Sequence, residues 1–294
     1  MAKQTSGRIH VGTAGWSYKD WDGVLYPKPR PRGFDPLTFL SQYVGVVEVN
    51  STFYRPVEPN VARGWVARVA DAPDFRFTAK ASKRFTHERT TAFTRAEVAE
   101  VCRGFRVMHN AGKLGAVLLQ FPWSFRRTDE NRQWLDDVTN AFARFPLVVE
   151  VRHVSWSVPD FYSELAERGI GFVNIDQPLF RHSIKPSAAV TAPVGYVRIH
   201  GRNYHEWFRK DAGVEARYDY LYSPAELKPW AERAREVATS GADDVYVVAN
   251  NHYRAQAAVN AVQLLSMVRD EPVPAPDLLY ENYEPQLEAW AYPA

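Results

Sequence analysis

Glu48, Glu150, Asp176 and His200 stand at or beside the ends of short apolar runs, and their side chains are of the types that move protons or attack electrophiles. Equivalent positions of other runs carry Lys80, Arg152 and Arg198, which suit an anion, and the amides Gln120 and Asn250. Asn251 follows directly, and Trp16 and Tyr54 lie just beyond two run ends, where rings could stack on a sugar or base. Carboxylates, a histidine and cations at one place could support hydrolysis or isomerisation of a polar ligand without an organic cofactor.

Whether they share a place depends on which way they point. In Val46-Val47-Glu48-Val49-Asn50, alternation predicts Val46, Glu48 and Asn50 inward, because Glu48 against an apolar helix layer would bury an unpaired charge. The same rule selects Thr78 with Lys80, Leu118 with Gln120, Glu150 with Arg152, Asn174 with Asp176, Arg198 with His200, and Asn250. The competing reading is a structural ion network in which Glu48, Glu150 and Asp176 neutralise Lys80, Arg152 and Arg198.

His200 is the acid or base candidate on geometry, whereas His153, His182, His205 and His252 lie in or beside loops and read as solvated. Asn250-Asn251 precedes a helical pattern from Tyr253, so the segment could bind an anion through backbone N–H groups or act as a cap. Glu48, Glu150, Asp176 and His200 offer ligands to a divalent metal, but the cations among them and the absence of HxH or HExxH spacing disfavour one. Further aromatics, Tyr18, Trp21, Phe53, Trp123, Trp156, Tyr204 and Trp207, sit in the same loops, and most are expected to seal loops onto the core.

The elements that must position these residues repeat along the chain. Strand-like runs cover Arg8 to Gly12, Val46 to Asn50, Phe75 to Lys80, Ala116 to Gln120, Leu147 to Arg152, Gly171 to Asp176, Gly195 to His200 and Val245 to Asn250. Helical spacing fills Thr94 to Ala111, Asp129 to Arg144, Pro159 to Arg168, Pro224 to Thr239 and Tyr253 to Arg269. Asp35-Pro36, Thr94 with Glu97, and Ser223-Pro224 with Glu226 mark helix starts. Strand and helix in alternation predict α/β architecture, a single (β/α)8 barrel over residues 1–294, with polar residues at the C-terminal ends of the strands.

A doubly wound open sheet would place a glycine-rich phosphate turn after its first strand, but GTAGWSYKDW has only a loose GxxG with bulky neighbours. Residues 177–193 show no helical pattern, and 201–222 form a long polar and aromatic insertion. The Pro-rich tail from 271 to 294 reads as a wrap or loose terminus rather than a second domain.

A formal net charge of +2 argues against a dedicated polyanion binder. No segment approaches the roughly 20 apolar residues that span a bilayer, and the N-terminus has no apolar leader, so a cytoplasmic location and no membrane partner are expected. Cys102, the only cysteine, lies in a helical pattern and reads as a buried, inert thiol.

Over nearly its full length the chain resembles the YecE-like family, domain of unknown function 72. The resemblance rests on GTAGWSYKDW (12–21), VEVNSTFYR (47–55), FTAKASKRFTH (77–87), LGAVLLQFP (114–122), VEVRHVSW (149–156), YVRIHGRN (196–203), YDYLYS (218–223) and YVVANNHYRAQAAVNA (246–261). It implies a TIM barrel and assigns no reaction. Relatives are expected to carry an acidic residue after the paired asparagines, where this chain has His252, so no ligand role is carried to that position.

Two functions follow from the residues. One is an enzyme of hydrolase or isomerase type acting on an anionic or sugar-containing small molecule, with Glu48, Glu150, Asp176 and His200 as acid–base groups and Lys80, Arg152 and Arg198 holding charge. The other is a non-catalytic nucleic-acid or polyanion binder using the arginines of GRNYHEWFRK and FPWSFRR.

Overall fold

A computed structural model describes residues 7–204 and 219–294. Eight parallel strands close into a barrel in sequence order: β1 (Arg8–Ala14), β2 (Val46–Val49), β3 (Arg76–Lys80), β4 (Leu114–Gln120), β5 (Leu147–Glu150), β6 (Gly171–Asp176), β7 (Val194–Ile199) and β8 (Asp244–Ala249). β8 pairs back onto β1 through Arg8–Asp244 to Thr13–Ala249, which completes the cylinder. β1 and β2 approach so closely that a Cβ at Gly12 would lie 1.8 Å from the Val46 carbonyl oxygen, so glycine is required there.

The outer layer contains α1 (Pro36–Leu40), α2 (Pro59–Arg68), α3 (Arg95–Asn110), α4 (Asp129–Ala141), α5 (Pro159–Glu167), α6 (Pro224–Thr239) and α7 (Gln256–Arg269). Local chemistry sets their starts. Asp35 accepts from the Thr38 amide at 2.9 Å, and Thr94 and Glu97 exchange hydrogen bonds in a capping box. α7 begins at Gln256 rather than at Tyr253, because Arg254 and Ala255 adopt left-handed φ values of 46° and 63° after a short turn. Asp20 captures the Arg254 amide at 2.6 Å and holds that turn outside the helix.

No helix follows β6. Residues 184–191 instead lie along its outer side, where Asn174 accepts from Ser187 Oγ and the Ala189 amide at 2.7 and 2.8 Å. Thr191 Oγ1 adds bonds to the Phe172 amide and the Ile170 carbonyl. The tail is ordered: β9 (Val273–Ala275) pairs with β10 (Ala291–Pro293), and Leu279 and Leu287 are buried between them. The core is the barrel interior plus the strand–helix layer, with Trp21, Trp156 and Trp230 among its largest buried side chains. Among the described residues, no helix is long and apolar enough to cross a membrane.

Candidate active site at the barrel mouth

Partners in parallel register face the same side, so one inward side chain orients its whole level. Arg198 lies inside the barrel, with its guanidinium between Glu48 and Glu150. Its Nη2 is 2.7 Å from Glu48 Oε1, and Nη1 contacts Glu150 Oε2. Following the register outward from Arg198 puts Glu48, Thr78, Lys80, Leu118, Gln120 and Glu150 on the same face. Arg152, His200 and Asn250 continue those strands inward.

Glu48, Glu150 and His200 have no solvent access, and Arg198 has 1%. Tyr196 donates to Glu48 Oε2 at 2.9 Å and shares a 2.7 Å bond with Thr78. Arg152 reaches Glu150 Oε1 through Nε and Nη2 at 2.9 and 2.8 Å, and His200 Nε2 lies 3.2 Å from that oxygen. The two carboxylates are therefore held by guanidinium groups, with hydrogen bonds to their remaining lone pairs.

The charges of this network follow from its contacts. Burial alone would raise the Glu150 carboxyl, but Arg198, His200 and Arg152 outweigh it and hold the group well below the usual carboxylate range. Burial opposes the Arg198 charge, yet Glu150 and Glu48 raise its pKa further. His200 moves the other way. Burial, reinforced by Arg152 and Arg198 against the opposing pull of Glu150, lowers it to about 3, so it is neutral near pH 7. Asn250 Nδ2 lies 3.1 Å from His200 Nδ1, and His200 Nε2 faces Glu150, with Arg152 Nη2 and Arg198 Nη1 each 3.4 Å away.

Above the network, Lys80 differs from every other cation of the ring. Its Nζ donates to Gln120 Oε1 at 3.0 Å and lies 4.4 Å from the centroid of the Phe53 ring, and among the described residues it forms no ion pair. It keeps partial solvent access, but protein crowds the ammonium. That lost hydration, together with Arg198, lowers its pKa to about 8. Phe53 also packs edge-on against His87 at 4.9 Å, and burial with the Lys80 and Arg152 charges lowers His87 to about 4. Tyr54, 70% exposed, meets Phe53 at 5.1 Å. Trp16 lies edge-on to Trp65 at 5.4 Å.

Two residues expected inward face outward. Ile175 pairs with Arg198 and Val173 with Tyr196, which puts Asn174 and Asp176 on the opposite face of β6. The inward assignment assumed an apolar helix outside every strand. At β6 the outer neighbours are the irregular 184–191 segment and Arg202, so polar residues there have partners. Arg202 binds both Asp176 oxygens at 2.9 and 3.0 Å, and Tyr222 donates to Oδ2. Asp176 thus anchors the segment after β7 rather than joining Glu48 and Glu150.

The helix-start reading of Asn250-Asn251 also needs correction. Asn251 is fully buried and donates to Asn260 Oδ1 and the Tyr220 carbonyl at 2.7 and 2.8 Å, several residues before α7. Among the aromatics, Trp21 and Trp156 are buried and donate to the His252 and Phe125 carbonyls, each at 2.7 Å, so they seal loops. His252 stacks on Tyr18 with centroids 4.4 Å apart. His205 and Trp207 lie outside the described residues.

The comparisons agree with this architecture. A family model described as a protein of unknown function, DUF72, matches residues 10–281. The chain belongs to the DUF72 family. It is 28% identical over 274 residues to the UPF0759 protein YunF of Bacillus subtilis, covering 88% of this chain and 94% of that protein. The UPF0759 protein YecE of Escherichia coli K12 is 26% identical over 191 residues, 60% of this chain and 62% of its own. A DUF72 crystal structure from Thermotoga maritima superposes with a TM-score of 0.75 at 33% identity, covering 89% of this chain and 99% of that one. One from Enterococcus faecalis gives 0.75 at 24% identity, covering 89% and 95%.

In this DUF72 chain the segments that carry the family likeness also carry the mouth. VEVNSTFYR supplies Glu48 and Phe53, FTAKASKRFTH supplies Lys80 and His87, and VEVRHVSW supplies Glu150 and Arg152. Reasoning from the residues alone passed over His87 and Tyr196, and named Arg202 only among the arginines of GRNYHEWFRK that could bind a polyanion. His87 sits one short helical turn beyond Lys80, a proximity visible in the sequence. The pairing of Arg202 with Asp176 was not visible, because that carboxylate was expected inside the barrel.

Proposed function

We propose that the barrel mouth binds an anionic, polyhydroxyl small molecule and acts on it as an enzyme of the hydrolase or isomerase type. One observation carries this reading: the inner carboxylates, Glu48 and Glu150, are already matched by Arg198 and Arg152, while Lys80 keeps a cation at the opening with no ion-pair partner among the described residues. A partly desolvated ammonium without an ion-pair partner is costly unless something anionic completes it. Arg152, 16% accessible in its side chain, adds positive potential beside it. Phe53 and Trp16 supply apolar faces suited to sugar rings.

Within this reading the roles differ from a simple list of acids and bases. Glu48, Arg198 and Glu150 form the charged floor, and His200, neutral and held by Asn250 and Glu150, positions that floor. Lys80, Arg152 and Gln120 contact the ligand. His87, neutral near pH 7, is the accessible base. A ligand selective for the folded state raises the unfolding temperature. Sorbitol 6-phosphate, gluconate and ribose 5-phosphate should therefore give saturable stabilisation, while uncharged sorbitol should give much less. If no anion shifts the transition, the mouth is a closed structural network and the proposal fails.

A further inference from the structure

We propose that Lys80 is a carbonyl-trapping nucleophile, which forms an imine with an aldehyde or ketone group of the ligand that enters the mouth. The inference rests on the reading above and narrows its substrate class to anionic compounds with a free carbonyl.

Lys80 Nζ stands at the C-terminal end of a barrel strand, fixed by one bond to Gln120 and lying over the Phe53 ring, and among the described residues no carboxylate forms an ion pair with it. Lys113 shows the contrast. It is also largely buried, but its Nζ donates to the Ala72 and Pro73 carbonyls at 2.6 and 3.1 Å, at the start of β4 and away from the mouth. That amine is occupied in holding a loop. Lys80 has an accessible amine, and burial, then Arg198 and Arg152, disfavour its charged form against the opposing pull of Glu48 and Glu150, which leaves an appreciable free-base fraction near neutral pH. Arg152 is placed to receive the anionic end of the substrate.

In the step itself, the Nζ lone pair attacks the carbonyl carbon and the C–O π pair moves to oxygen, which takes a proton to give a carbinolamine. The nitrogen pair then expels that oxygen as water. Overall, an ammonium and a carbonyl give a protonated imine and one water, with no oxidant or reductant. The iminium withdraws electrons from the adjacent carbon, so a C–H or C–C bond there is the one weakened, consistent with isomerisation or cleavage.

The test incubates the full chain separately with dihydroxyacetone phosphate, ribose 5-phosphate and pyruvate in the presence of sodium cyanoborohydride, which reduces imines in place. Intact mass and peptide mapping then locate the adduct. We expect at least one of the three compounds to label Lys80 at least tenfold more than any other lysine. Labelling spread evenly over surface lysines, or absent from Lys80 with all three, would overturn the imine. Sorbitol 6-phosphate has no carbonyl and separates the two ideas. If it stabilises the protein while Lys80 stays unlabelled, only the imine fails, and if neither it nor any other anion shifts the unfolding transition, the binding reading fails too.

Discussion

Glu150→Ala is expected to destabilise the barrel by about 3–5 kcal/mol, the range for breaking a buried ion pair by removing one partner. Glu150 has no solvent access and meets Arg198, Arg152 and His200. Alanine would leave Arg198 with Glu48 alone and Arg152 without its carboxylate. Urea unfolding should report the loss as a lowered midpoint, and an unchanged midpoint would mean that water replaces the carboxylate at no cost. The pH dependence has a definite sign. The folded-state pKa of Glu150 is depressed, so its contribution is fully present above the ordinary carboxylate range and is lost as pH falls through the lowered value. The wild type should therefore begin to lose this share of its stability as pH falls below the ordinary carboxylate range and lose all of it only in strong acid, and Glu150→Gln should show a flatter acid limb.

Lys80→Met should have the opposite profile. The ammonium forms no ion pair among the described residues, so its removal should leave the unfolding midpoint unchanged or raise it. Affinity for sorbitol 6-phosphate, measured by calorimetry, should fall by roughly tenfold to a hundredfold, since a hydrogen bond to a charged group contributes about 1.5–3 kcal/mol. Equal affinity in the two proteins would remove Lys80 from the ligand site. A large loss of stability would show that Lys80 completes the ion network instead of standing apart from it.

The barrel was legible because its strands are short apolar runs, buried on both faces, that alternate with capped amphipathic helices. The inward assignment held on β2, β3, β4, β5 and β7 for one physical reason: outside those strands lie apolar surfaces, where Glu48 or Arg198 would have no partner. It failed on β6 because the outer layer there is a polar segment that satisfies Asn174 and Asp176. No local pattern reveals what packs outside a strand from distant sequence. The pairing within the mouth was equally hidden. Three carboxylates and three cations suggested mutual neutralisation, but Arg202 takes Asp176 and leaves Lys80 unmatched. The kink before α7 depends on Asp20, more than two hundred residues away, and so could not be seen in Asn250-Asn251.

The measurement closest to the central claim is the titration of the Lys80 ammonium itself, followed by NMR in protein labelled at the lysine side chains and assigned with Lys80→Met. The free protein should show a midpoint near the expected value of about 8, well below the ordinary 10.5. An anion that binds the charged form must raise that midpoint by linkage, so saturating sorbitol 6-phosphate should move it upward while uncharged sorbitol leaves it in place. A midpoint close to 10.5 that no anion shifts would contradict the account, because it would describe a hydrated surface lysine and a mouth without a ligand.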